Sequence, residues 1–157
     1  MSQIRERAAA GIREGDVFVA SRTFSEADME AFARISRDYN PVHMEDRFAR
    51  VKGFEGRICH GLLVASLLTE VGGQMGLLAT GMRFRFRRPV YFGDTVTCRV
   101  TVVEIGKDGR ARADVLYQNQ HGDVVMDGEG TGHVPGERAR AVLETMMTEG
   151  DPTNPLR

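Results

Sequence analysis

Apolar side chains are densest over Ile58-Cys59-His60-Gly61-Leu62-Leu63-Val64-Ala65-Ser66-Leu67-Leu68-Thr69, a stretch apolar on nearly every side. A helix with no polar face to give to water must be surrounded by the rest of its fold. The run is far shorter than the roughly 20 residues a membrane span requires, so it predicts a core helix that starts near Gly61 and frays at Gly72-Gly73. Downstream, residues 82–88, 95–105, 111–119 and 124–134 alternate in the manner of strands. The clearest puts Val96, Cys98, Val100 and Val102 on one face and Thr95, Thr97, Arg99 and Thr101 on the other. Gly93-Asp94, Lys107-Asp108-Gly109 and His121-Gly122-Asp123 supply the turns between them.

Upstream, residues 16–24 predict a first strand. Ser25 and Asp28 form a capping pair before Met29, Phe32, Ala33 and Ile35, whose helical spacing predicts a helix over 26–37. Asn40 precedes Pro41 and is pushed out of the helical region, so 38–43 is expected as an irregular segment of fixed geometry, followed over 44–56 by a short helix and a loop. The plan is α+β: a central helix followed by an antiparallel meander. It divides the chain into a tail or loose helix over 1–15, one domain over 16–135, and a surface helix over 137–147 that ends in a disordered 151–157.

Composition narrows the function. A net charge of −1 argues against a general nucleic-acid partner, because sequence-independent binding rests on an excess of Lys and Arg. The charged first ten residues carry no apolar signal core, no membrane partner is expected, and Cys59 and Cys98 read as buried free thiols of a cytoplasmic protein. His43, His60, His121 and His133 are not at metal-ligand spacing.

Two features carry candidate chemistry. Asp38 and His43 lie five residues apart across the Asn40-Pro41 bend, close enough to aim a carboxylate and an imidazole at one point as a general acid/base pair. On spacing alone the plainer reading, a turn capped by Asp38 with His43 at the surface, is favoured. Gly61 opens the buried helix, where unpaired amides and a close backbone approach would suit a carbonyl oxygen gaining negative charge, or would merely permit tight packing. His60 reads as a helix-end residue with no catalytic part. Arg83, Arg85 and Arg87 share a strand face opposite Phe84 and Phe86, which fits either a solvated face or a patch for carrier phosphates.

Taken together, Asp38-Tyr39-Asn40-Pro41-Val42-His43, then Gly53-Phe54, Ile58-Cys59-His60-Gly61-Leu62 and Pro89-Val90-Tyr91-Phe92-Gly93-Asp94, resemble in order and spacing the MaoC-like (R)-specific enoyl-CoA hydratases and dehydratases of the hot-dog superfamily, over about residues 17–134. The resemblance implies a hot-dog fold, an antiparallel sheet wrapped around a long central helix, and a homodimer whose sheets join. It implies Asp38 and His43 as the catalytic dyad and the Gly61 amide as the oxyanion donor. Asn40 would hold the turn, and Phe54 and Ser66, with Thr69, would line the acyl site. Arg83 and Arg85 would meet the carrier. The expected activity is reversible hydration of a trans-2-enoyl thioester of coenzyme A or of an acyl carrier protein, with no metal and no cofactor beyond that thioester. A dehydratase acting on a carrier protein, a hot-dog thioesterase and a non-catalytic acyl-thioester binding module are the rival readings. The chain departs from the family pattern at Arg37, where many members carry glycine, and at Gly128-Glu129-Gly130-Thr131-Gly132, where alternate glycines mean that another backbone packs close or a ligand channel is widened.

Overall fold

A computed structural model describes residues 2–156. In chain order it runs α1 (Gln3–Ala10), β1 (Val17–Thr23), α2 (Glu26–Ser36), the one-turn α3 (Pro41–Met44), α4 (Asp46–Val51), α5 (Gly61–Met75), β2 (Leu78–Phe86), β3 (Thr95–Ile105), β4 (Arg110–Gln118), β5 (Val124–His133) and α6 (Glu137–Thr148). The strands form one antiparallel sheet in the order β1-β3-β4-β5-β2, wrapped around α5 as in a hot-dog fold. Leu63, Val64, Leu67, Leu68 and Val71 of α5 pack on Val96, Cys98, Val100, Val115, Tyr117 and Val125 of the sheet. The buried Tyr117 hydroxyl donates to the Ala65 carbonyl at 3.1 Å, tying the middle of the helix to β4. Cys59 and Cys98 are buried free thiols, both pushed up to about 12 by burial, which makes them inert at neutral pH. Among the described residues no helix is long and apolar enough to cross a membrane.

Three expectations are corrected. The strands from β2 to β5 are not one meander, because β2 lies at the far edge beside β5 and only β3, β4 and β5 follow in turn. The connection over 87–94 is otherwise engaged: Val90 accepts from the Cys59 amide at 2.8 Å, Tyr91 bridges to Ile58, and Gly93 donates to Phe24 at 2.8 Å. Helix α5 does not fray at Gly72-Gly73 but runs to Met75 and ends on a left-handed Gly76. Its last turn is capped from outside, with the Arg5 guanidinium donating to the carbonyls of Gln74 (2.9 Å) and Gly73 (3.3 Å) and pairing with Asp151 at 2.9 Å. The terminal segments are therefore not loose. Helix α1 packs on α5 and α6 with Arg5, Ala8 and Ala9 buried, and Asp151 and Asn154 are buried as well. The last position of the expected disordered tail, residue 157, lies outside the described residues.

Candidate active site

Helix α2 starts on a reciprocal capping box between Ser25 and Asp28 and ends at Arg37, which adopts the left-handed conformation (φ 58°). Glycine takes this geometry freely, whereas arginine adopts it only against a backbone penalty of about 1 kcal/mol. The turn that follows carries Asp38 to the rim of a cleft at the start of α5. Asn40 accepts from the Val42 amide at 3.2 Å and Pro41 takes the first helical position, so the expected irregular segment closes into the single turn α3.

His43 sits on α3 and is buried. Its Nδ1 is 2.8 Å from the Ile58 carbonyl, a partner that can only accept, so Nδ1 carries the hydrogen and Nε2 is left to face the cleft. Burial pushes the His43 pKa below its usual value; the bond to Ile58 works against the shift, the neighbouring His60 ring adds to it, and Asp38 opposes it. Nε2 lies 3.9 Å from Asp38 Oδ2. That is too far for a direct hydrogen bond and leaves room for one water that touches both.

Gly61 opens α5 beside the dyad. The preceding His60 makes no side-chain capping bond, so the first amides of α5 have neither an intrahelical acceptor nor a cap. A Cβ at Gly61 would fall 2.5 Å from the Phe86 ring, so the ring packs directly over this glycine and would have to swing aside for any larger residue. Asp38, His43 and Gly61 line one cleft of about 680 Å³, together with Phe54, Leu62, Phe86 and Met126. A separate apolar cavity of about 270 Å³ lies farther along α5, against Gly130 and Gly132 of β5 and Ala111 and Ala113 of β4.

Three expected binding residues, Ser66, Arg83 and Arg85, lie away from the cleft, and Asn40, which was to hold the turn, does so. Asn40 caps α3 and does not line the cleft. The Ser66 hydroxyl turns back to the Leu63 carbonyl at 2.6 Å, as serines inside helices do. Arg83 and Arg85 stand on the outer face of the sheet, paired with Glu129 (3.3 Å) and Asp127 (2.7 Å). The arginines that line the cleft are Arg87 and Arg88, which follow directly after the last residue of β2. His60, read from sequence as a mere helix-end residue, is 1 % exposed and within reach of both dyad members. The signal available was its place between the apolar Cys59 and Gly61, since a histidine at the threshold of a buried helix must find partners there.

Asp38, His43 and His60 offer atoms within 4.8 Å of one another, the spacing of a metal site. The donor set does not suit a cation, because His43 Nδ1 and His60 Nε2 are both committed as donors to carbonyls, which leaves His43 Nε2 and one carboxylate converging on the cleft.

The model of the MaoC-like domain family matches residues 9–125. The chain belongs to that family. An (R)-specific enoyl-CoA hydratase of Rhodospirillum rubrum is 34 % identical to this MaoC-like chain over 128 residues, covering 79 % of the chain and 89 % of the relative. A mitochondrial 3-hydroxyacyl-[acyl-carrier-protein] dehydratase of Arabidopsis thaliana is 32 % identical over 130 residues, covering 79 % and 78 %. Among solved structures, the unliganded R-hydratase PhaJ1 of Pseudomonas aeruginosa superposes on the MaoC-like chain with a TM-score of 0.75 at 32 % identity, covering 82 % of this chain and 86 % of that one.

Proposed function

We propose that this MaoC-like protein is a hydro-lyase that adds water reversibly across the double bond of a trans-2-enoyl-CoA, giving the (R)-3-hydroxyacyl-CoA. The observation that carries the reading is the 3.9 Å gap between Asp38 and His43 beside an uncapped helix N-terminus in the same cleft. A thioester carbonyl held at the Gly61 amide polarises the double bond, and a single donor of this kind is worth about 3 kcal/mol to an enolate-like transition state. Water held between Asp38 and His43 adds its oxygen to C3 while the dyad takes one proton, and the dyad returns one proton to C2. One O–H bond of water and the C2=C3 π bond break, one C–O and one C–H bond form, and no net charge is left, so the step calls on no cofactor. The (R) configuration is supported by the names of the relatives.

Arg87 and Arg88, which line the cleft, are the groups we assign to the phosphates of the carrier, which would compete with their pairings to Asp127 and Asp123. A homodimer is supported by the outer edge of β2, which among the described residues has no strand beyond it and exposes Leu78, Met82 and Phe86. The buried thiols fit a reducing compartment such as the cytoplasm.

The test is the enoyl absorbance of crotonyl-CoA and of a medium-chain enoyl-CoA. Loss of absorbance without thiol release is the expected result. Thiol release instead identifies a thioesterase, turnover confined to carrier-protein thioesters identifies the dehydratase, and binding without turnover identifies a binding module. The pH profile is a second check. The dyad needs His43 unprotonated, and burial holds its pKa below the ordinary histidine value of 6.5, so the midpoint of the acid limb of kcat/KM should lie below pH 6.5. A midpoint at or above pH 6.5 would contradict a buried, neutral His43.

A further inference from the structure

His60 has features that a helix-end role leaves unexplained. Its side chain is buried, makes no capping bond to α5, and carries a buried Nδ1 with no partner. Its hydrogen bond and its nearest ring contact go to the dyad. Nε2 donates to the Asp38 backbone carbonyl at 2.9 Å, and the ring lies over that of His43 with centroids 3.9 Å apart. Phe32 closes the other side at 5.1 Å.

Asp38 needs such a hold. Its carboxylate is about half exposed, and the chain reaches it through the left-handed Arg37. Its other hydrogen bonds, the Asp38 amide to Ser36 and the Asn40 amide to the carboxylate, span two residues each and move with the turn. Among the described residues, the bond from His60 is the one hydrogen bond that ties Asp38 to distant chain.

The geometry points to His60 as a positioning residue that sets the separation between the Asp38 carboxylate and the His43 imidazole and registers both to the Gly61 amide. The four residues 58–61 then carry three tasks. The Ile58 carbonyl orients His43, His60 holds Asp38 and supports the His43 ring, and Gly61 presents its amide to the cleft. This stretch is itself fixed by Cys59 donating to Val90 at 2.8 Å and Ile58 donating to Val42 at 3.3 Å. Dyad and oxyanion donor arise on different elements, and one short length of backbone keeps them at a constant distance. A displacement of about 1 Å between such groups can cost a hundredfold in rate.

The kinetic arm of the test rests on the proposed hydration; a spectroscopic arm does not. His60→Phe keeps a ring over His43 and removes the donor, whereas His60→Gln restores an N–H donor without the ring. For crotonyl-CoA hydration, His60→Phe should lower kcat on the order of 30- to 100-fold while KM changes by less than about threefold, and His60→Gln should recover to within about fivefold of the parent. In isotopically labelled protein, the downfield 13C shift of the Asp38 carbonyl should be lost in His60→Phe and kept in His60→Gln. A His60→Phe protein that keeps its kcat overturns the inference. So does a pair of variants that lose activity and melting temperature equally, since that is the behaviour of a residue that only fills space. If the parent hydrates no enoyl thioester, the functional reading falls and the carbonyl shift alone decides the positioning role: no change in His60→Phe overturns it.

Discussion

Asp38→Asn and His43→Gln should each lower kcat for enoyl-CoA hydration by about a thousandfold, about 4 kcal/mol, with KM little altered. The replacements are close to the parent side chains in size, so the turn survives: an asparagine in place of Asp38 still accepts from the Asn40 amide, as the carboxylate now does at 3.2 Å. What changes is the proton inventory. The asparagine amide cannot take a proton from water at neutral pH, and the glutamine amide has no lone pair comparable to that of His43 Nε2, which faces the cleft once Nδ1 is bound to Ile58. Because the two groups act on the same water, the double variant should be hardly worse than either single one, the mark of residues that work as a unit. Melting temperatures and far-UV dichroism of all three should match the parent. Single variants within tenfold of wild type, or single losses that simply add in the double variant, would sink the shared-water reading and require a different base in the cleft.

How far the molecule was legible follows from where its constraints act. Strand β3 was placed correctly at Thr95–Ile105 because Val96, Cys98, Val100 and Val102 need only a period of two and a turn at each end, and both are local in sequence. The helix over 26–37 was legible to one residue for the same reason: Ser25 and Asp28 cap each other across three positions. The bend itself was legible, since Asn40 and Pro41 shape it through bonds spanning two residues, but Asp38 and His43 stood out as a dyad only through the family resemblance, because the bonds that orient them come from Ile58 and His60. The place of β2 was not, because alternation says which face is buried and not which neighbour a strand takes; that choice is made by residues 87–94, which bind the start of α5. Arg83 and Arg85 were read as either a solvated face or a patch for carrier phosphates because their partners, Glu129 and Asp127, come from a strand more than forty residues away. Their charge is neutralised across the sheet, and Asp127 is held below the usual carboxylate range by Arg87 and Arg85. The first fifteen residues looked like a tail for the same reason. Arg5 reads as a surface charge until the far ends of α5 and the chain bring Gln74 and Asp151 to it. His60 stayed silent because everything it touches is tertiary.

Gly128→Ala should destabilise the protein by about 3 kcal/mol, which in a domain of this size lowers the melting temperature by roughly 6–12 °C. The added methyl would fall 2.0 Å from the Arg83 carbonyl oxygen and 3.2 Å from Phe84 Cα, and neither is a flexible side-chain end that can swing away. Gly128 pairs with Phe84 on β2 and with Val115 on β4, so relief must come from parting β5 from β2, the edge that carries Phe86 to the mouth of the cleft. Gly130, two residues on, is the internal control. A Cβ there would meet only Leu68 Cδ2, at an ordinary 3.5 Å, beside the 270 Å³ apolar cavity. Gly130→Ala should therefore be neutral or gain about 0.4–1 kcal/mol by restricting the unfolded chain. The two readings that sequence left open for this glycine strand divide between neighbouring positions: a backbone packs against Gly128, and a cavity opens at Gly130. Equal melting temperatures for the two variants would mean that the close approach of β2 to Gly128 is not a constraint on the fold.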